Sequence, residues 1–204
     1  MSIAGFQPAD RERFEATIRR FDAENAKDPN REPRPGGGDE ARELAHARYL
    51  ADWVLRLAPN ASEPLRLAAR SQHICRWLVS REKFPLTRAG YHQWRSELKK
   101  IHARLAGEIM RETGYPADTI ERVQMLNLKK TAPGDPEAQV LEDALCLVFL
   151  EHQFAELAAK ISEEKMTNAL RKTWKKMSPA GRAEALKLRY AGRERALIQK
   201  AALE

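Results

Sequence analysis

The chain has 204 residues, 36 Lys and Arg against 29 Asp and Glu, and a formal charge of +7 at pH 7. With 43% hydrophobic and 32% charged residues it can bury a core, which excludes wholesale disorder and suits one medium domain or a domain with a tail. The longest apolar run, residues 144–150, falls far short of the roughly 20 residues of a membrane helix.

Residues 1–10 lack the basic start and apolar block of a secretory signal. Two cysteines, Cys75 and Cys146, are too few for a disulfide framework or a cysteine zinc site. The expectation is a cytoplasmic protein in a reducing setting, with no membrane partner.

Charge is uneven along the chain. Residues 160–204 hold 12 Lys and Arg against 5 Asp and Glu, and the remainder holds 24 of each sign. A basic C-terminal stretch favours polyanionic partners such as RNA or an acidic protein. The plainer reading is a set of solvated amphipathic helices.

In chain order, the first helix spans 10–26, with Phe14, Ile18 and Phe21 on one face. Residues 27–38 read KDPNREPRPGGG, a loop that could serve as a lid or flexible connector. Asp39 is the expected cap of a helix to about 58. Ser62 caps the next, which carries Leu65, Leu67, Ile74 and Leu78. Residues 84–86 break the chain. A long helix begins at Thr87 or Arg88, runs through Tyr91, Trp94, Leu98, Ile101, Leu105 and Ile109, and ends near Gly114.

Pro116 restarts helix to about 130. The turn at 132–136 precedes a helix to about 160, and three shorter helices follow, at 162–177, 178–190 and 193–203. No stretch alternates with period two, so no strand is expected.

Chemistry concentrates in the middle of the sequence. Arg66, Arg70, His73 and Trp77 share one helical face or its flank by their i, i+3, i+4 spacing. Arginines beside a histidine make an anion pocket and hold the imidazole neutral. The plainer reading is a surface helix with a core histidine. Arg88, Tyr91, Arg95, Lys99 and His102 form a second stripe, suited to a phosphate if it faces a pocket. Residues 140–150 read VLEDALCLVFL, apolar nearly all round, as in a central helix. It carries Glu142 and Asp143. At least one is buried and needs a metal, several hydrogen bonds or an arginine, for instance Arg70 or Arg95.

Several blocks occur in order: Phe21 to Asn25, Ala61 to Glu63, ARSQHICRW from Ala69 to Trp77, RAGY from Arg88 to Tyr91, Trp94–Arg95, His102–Ala103, LED from Leu141 to Asp143, and TWKKMS from Thr173 to Ser178. Together they resemble the domain of unknown function 4202 family over about residues 14–200. That family implies no established activity.

The layout also looks like a diverged HD-type metal phosphohydrolase. In that resemblance His46 stands for the first histidine, His73 for the histidine of the His-Asp pair, His102 for an additional ligand and Asp143 for the late aspartate. Ile74 departs from the pattern, since an HD-type site has an aspartate there. The Lys176–Met177–Ser178 triplet resembles a class I aminoacyl-tRNA synthetase signature. That reading is declined, because the parallel-stranded nucleotide fold and the His-x-Gly-His motif are missing, and Ser178–Pro179 reads as a helix start.

The expectation is therefore an all-α single compact multi-helix bundle with an HD-like core over 1–204. Residues 14–160 form the core, with the loop 27–38, and basic helices 161–204 pack on it. The resemblance implies an active or degenerate hydrolase for a small phosphorylated or nucleotide-like ligand. Metal ligands would be His73, His102 and Asp143, for Mn, Fe, Co, Ni or Zn. Glu142 and Asp143 would be catalytic, and Arg70, Arg76, Arg88, Tyr91 and Arg95 would bind phosphate. The alternative is a non-catalytic protein that binds an anion, RNA or an acidic protein.

Overall fold

A computed structural model describes residues 7–33 and 36–202. Residues 1–6, part of the stretch read for a leader, lie outside the described residues, as do 34–35 and 203–204. The protein is all-α, with ten α-helices and one short β-ribbon among the described residues. The chain forms two compact units, Met1–Pro133 and Gly134–Glu204. The division falls in the turn at 132–136, upstream of the basic stretch.

The first unit contains α1 (Arg11–Asn25), β1 (Arg31–Pro33), β2 (Asp39–Ala41), α2 (Arg42–Leu57), α3 (Glu63–Ser71), α4 (Arg88–Glu112) and α5 (Ala117–Leu128). Local chemistry explains most of the helix starts. Asp10, Ser62 and Thr87 each accept a backbone N–H from the first turn of α1, α3 and α4. Helices α1, α2 and α5 pack on α3, and α4 lies along α5. Phe21, Leu50, Leu65, Leu67, Ile74, Leu98, Met110 and Leu126 are its largest fully buried side chains.

Two expectations at the loop 27–38 are corrected. Arg31–Pro33 and Asp39–Ala41 are strands that pair antiparallel, Arg31 opposite Ala41. Asp39 therefore belongs to β2 and does not cap α2. The cap position is Ala41, which has no capping side chain. The start of α2 is held from a distance: Asp28 Oδ2 accepts the Glu43 N–H at 3.1 Å and Asn30 O accepts the Arg42 N–H at 2.9 Å.

The second unit contains α6 (Pro136–Val148), α7 (Phe154–Lys160), α8 (Glu163–Lys176), α9 (Pro179–Lys187) and α10 (Gly192–Ala202). Asp135, Ser162 and Ser178 cap α6, α8 and α9. The expected continuous helix to 160 is interrupted by a π-helical turn, Phe149–Gln153. Leu147, Phe154, Met166 and Leu170 are fully buried.

Asp143 is 3% exposed. Its buried charge is met by hydrogen bonds: Oδ1 accepts Ser178 N–H at 2.8 Å and Gln139 Nε2–H at 3.0 Å, and Oδ2 accepts the Ser178 hydroxyl at 2.5 Å. No arginine is among these partners. Gly181 packs on the same carboxylate, where an added Cβ would lie 2.6 Å from Asp143 Cγ. The Lys176–Met177–Ser178 triplet is thus the entry to α9. Glu142 is half-buried, with Lys176 Nζ at 3.6 Å.

The division also regroups the charge. The first unit holds 24 Lys and Arg against 18 Asp and Glu, and the second holds 12 against 11. Acids on α6 and α7 offset the basic helices that follow, so nearly all the positive excess belongs to the first unit.

Candidate metal centre

The site is built where α3 stops. Arg66, Arg70, His73 and Trp77 do not share a helical face, because α3 ends at Ser71. The chain continues in tight turns, with Ile74 N–H on Ser71 O and Arg76 N–H on His73 O, both 3.1 Å. Cys75 is left-handed at φ 54° and ψ 33°, and its N–H donates to Asn25 Oδ1 at 3.3 Å. A non-glycine residue there costs on the order of 1–2 kcal/mol.

This reversal brings His73 and Arg76 to the same carboxylate. Glu43 Oε2 lies 3.7 Å from His73 Nδ1, and Glu43 Oε1 lies 3.7 Å from Arg76 Nε. Cys75→Gly is expected to keep stability within about 1 kcal/mol of wild type, whereas Cys75→Val, β-branched at positive φ, should lose about 2 kcal/mol in chemical denaturation.

Glu43 and His46 stand one turn apart on α2, both buried. The His46 ring stacks on His73 with centroids 4.2 Å apart. Glu43, His46 and His73 each offer one ligand atom, and these atoms lie within 4.8 Å of one another. They are the one such group of three among the described residues. Two ligands at about 2.0–2.2 Å from one ion are at most about 4.4 Å apart, so a small closure of the side chains suffices.

The donor set, two imidazoles and a carboxylate, suits Zn, Mn, Fe, Co or Ni. Glu43 Oε2 is buried and has no hydrogen-bond partner, an arrangement that a cation would relieve. Burial pushes the Glu43 carboxyl up to about 7, aided by the charge of Asp28 and opposed by Arg76. Burial holds His73 well below its ordinary value, and His46 and Arg76 push the same way. A neutral imidazole is the form that ligates metal.

His102, on α4, is buried beside this group, its ring centroid 5.7 Å from that of His73. Its Nδ1 lies 2.8 Å from Ile74 O. A carbonyl only accepts, so Nδ1 carries the proton and Nε2 presents a lone pair. Nε2 is buried with no hydrogen-bond partner. Burial lowers the His102 pKa to about 4, with Arg76 and Arg95 adding to the effect against the Ile74 bond. Ile74 thus takes part through its backbone carbonyl, which fixes the tautomer of His102.

The expected phosphate residues separate. Arg70 makes a bidentate pair with Asp22, 2.6 and 2.7 Å, and ties α3 to α1. The nearby Arg81, not in that set, donates to Phe84 O and Pro85 O. Arg76 is three-quarters buried and its guanidinium lies 4.8 Å over the Trp94 ring. Arg95 is half-buried on α4, and Arg88 and Tyr91 are exposed near its start. The stripe from Arg88 to His102 therefore runs from solvent into the core.

Gly90 is required in that turn, because a Cβ there would lie 2.2 Å from Pro85 O. Asp143 and Glu142 belong to the second unit, so the three-residue ligand group lies wholly in the first. Glu43 is the site residue that the motif reading missed. Its signal is the Glu-x-x-His spacing to His46, which puts both side chains on one helix face.

These features define an all-α protein with a largely buried Glu-His-His group and a histidine and two arginines around it. The chain belongs to the domain of unknown function (DUF4202) family, whose model matches residues 15–198. No curated protein and no solved structure matches it.

Proposed function

We propose that the first unit is a metal-dependent phosphohydrolase of HD-like layout, acting in the cytoplasm on a small phosphorylated or nucleotide-like ligand. The observation that carries this reading is the convergence of Glu43, His46 and His73, with Glu43 Oε2 buried and lacking a hydrogen-bond partner. A divalent ion held there would polarise a phosphoryl oxygen and acidify water. Arg76 and Arg95 would bind the phosphate charge, and the neutral His102 would accept a hydrogen bond through Nε2. No helix among the described residues is long and apolar enough to cross a membrane.

The test is phosphate release from a panel of sugar phosphates and nucleoside phosphates, with manganese and with chelator. Manganese-dependent release is expected, and Arg76→Ala should raise KM about tenfold or more. Absence of release from every ester, with any metal of the set, would overturn the catalytic reading.

A second reading, non-catalytic binding of an anion, RNA or an acidic protein, is favoured by Ile74 standing where an HD-type site has its metal-binding aspartate. Phosphate binding without release would select it.

A further inference from the structure

Arg76 joins the buried group to an exposed face. Its Nε lies 3.7 Å from Glu43 Oε1 and its guanidinium carbon 4.8 Å over the Trp94 ring. Trp94 is fixed by its Nε1–H on Val79 O at 2.9 Å. The Tyr91 ring centroid is 5.8 Å from that of Trp94, and Tyr91 is 45% exposed. Arg88 and Arg95 stand one turn to either side of Tyr91 on α4. Leu86, 90% exposed, and Leu78, 55% exposed, belong to the same segment. An open aromatic ring next to a half-buried tryptophan, flanked by guanidinium groups, matches a ligand with a planar ring and a phosphate.

We infer that Tyr91 is a specificity residue: its ring stacks on the base of a nucleoside monophosphate whose phosphate lies at Arg76 and Arg95. This rests on the phosphate-binding reading above and names the substrate class of that site. A sugar phosphate offers the same anion and no π-face, so Tyr91 would discriminate between them. One exposed ring with Arg88 and Arg95 a turn to either side on α4 offers a stacking surface and an anion site for one base and its phosphate, the chemistry of a mononucleotide.

The experiment is calorimetric titration of the full, metal-free chain with AMP and with ribose 5-phosphate, so that hydrolysis does not intervene. Wild type should bind AMP about tenfold more tightly or better, the scale of one base–aromatic stack. Tyr91→Ala should abolish that preference and leave ribose 5-phosphate binding unchanged, and Tyr91→Phe should keep it. Unchanged thermal unfolding will verify that the variants fold, as the exposure of Tyr91 leads one to expect.

Equal wild-type affinities, or a preference that survives in Tyr91→Ala, would overturn the assignment while leaving phosphate binding intact. Absence of binding by both compounds, to the metal-free chain and to the chain as purified, would overturn the phosphate site itself. Much tighter, salt-sensitive binding of an oligoribonucleotide than of AMP would overturn it in favour of RNA.

Discussion

Replacing Glu43 with Ala is expected to strip the chain of bound divalent metal. Freshly purified wild type should carry close to one ion per chain by elemental analysis, and His46→Ala and His73→Ala should lose it as well. The weakening should exceed the roughly 10–100-fold that follows loss of an outer-sphere partner, because a ligand itself is removed.

Thermal unfolding gives an independent readout. Metal at about 100 times its Kd adds about 2.7 kcal/mol to wild type, and this increment should vanish in all three variants. Glu43→Gln separates ligation from packing. It keeps the shape of the side chain and removes a carboxylate whose burial opposes ionisation. Without metal it should be at least as stable as wild type, since a buried carboxylate whose Oε2 has no hydrogen-bond partner is unfavourable even with Arg76 nearby. With metal it should be the less stable of the two. Full metal occupancy in Glu43→Ala would refute the site. Asp143→Asn should retain the ion, because the Glu-His-His group lies in the first unit.

Asp143→Ala should instead destabilise the second unit where α9 joins α6. Its carboxylate accepts two hydrogen bonds from Ser178 and one from Gln139 in a buried setting. Truncation leaves those donors without partners and removes the anchor at the first turn of α9. The expected loss is about 3 kcal/mol, from hydrogen bonds to a charged acceptor and the donors left buried.

Amide hydrogen exchange locates the effect: protection should fall in α6 and α9, and remain in α4 and α5 of the first unit. Gly181→Ala should act in the same place with a smaller loss, about 1–3 kcal/mol, because its Cβ would press on Asp143. Uniform loss of protection across both units, or none, would refute this account of Asp143.

Helix starts were readable because capping is local. Ser62, Thr87, Ser162 and Ser178 each bond an N–H within three residues, and Pro64, Pro136 and Pro179 stand where proline is tolerated. The all-α class followed from the same short-range signals. The β-ribbon escaped notice because three-residue strands carry no period to detect, and its second strand took the residue read as a cap. The end of α3 was also hidden. QHIC has no proline or glycine to mark the break, and the left-handed turn falls on Cys75, a residue type with no preference for it.

The sequence by itself determined the helices, their caps, the presence of a buried acid in the 140–150 segment and the family. The tertiary structure decided what the chemical residues do. His73 and His46 were legible as candidates through the resemblance, and Glu43 was not, because it comes from another helix than His73 and meets it only once α2 packs on α3. Asp143 carried the right chemistry for a metal and is held by hydrogen bonds to Ser178 and Gln139. Arg70, beside His73 in sequence, turns to Asp22 on α1. Neighbours within a helix turn are fixed by backbone geometry, whereas the partner of a buried charge is chosen by whichever complementary group packing brings within reach.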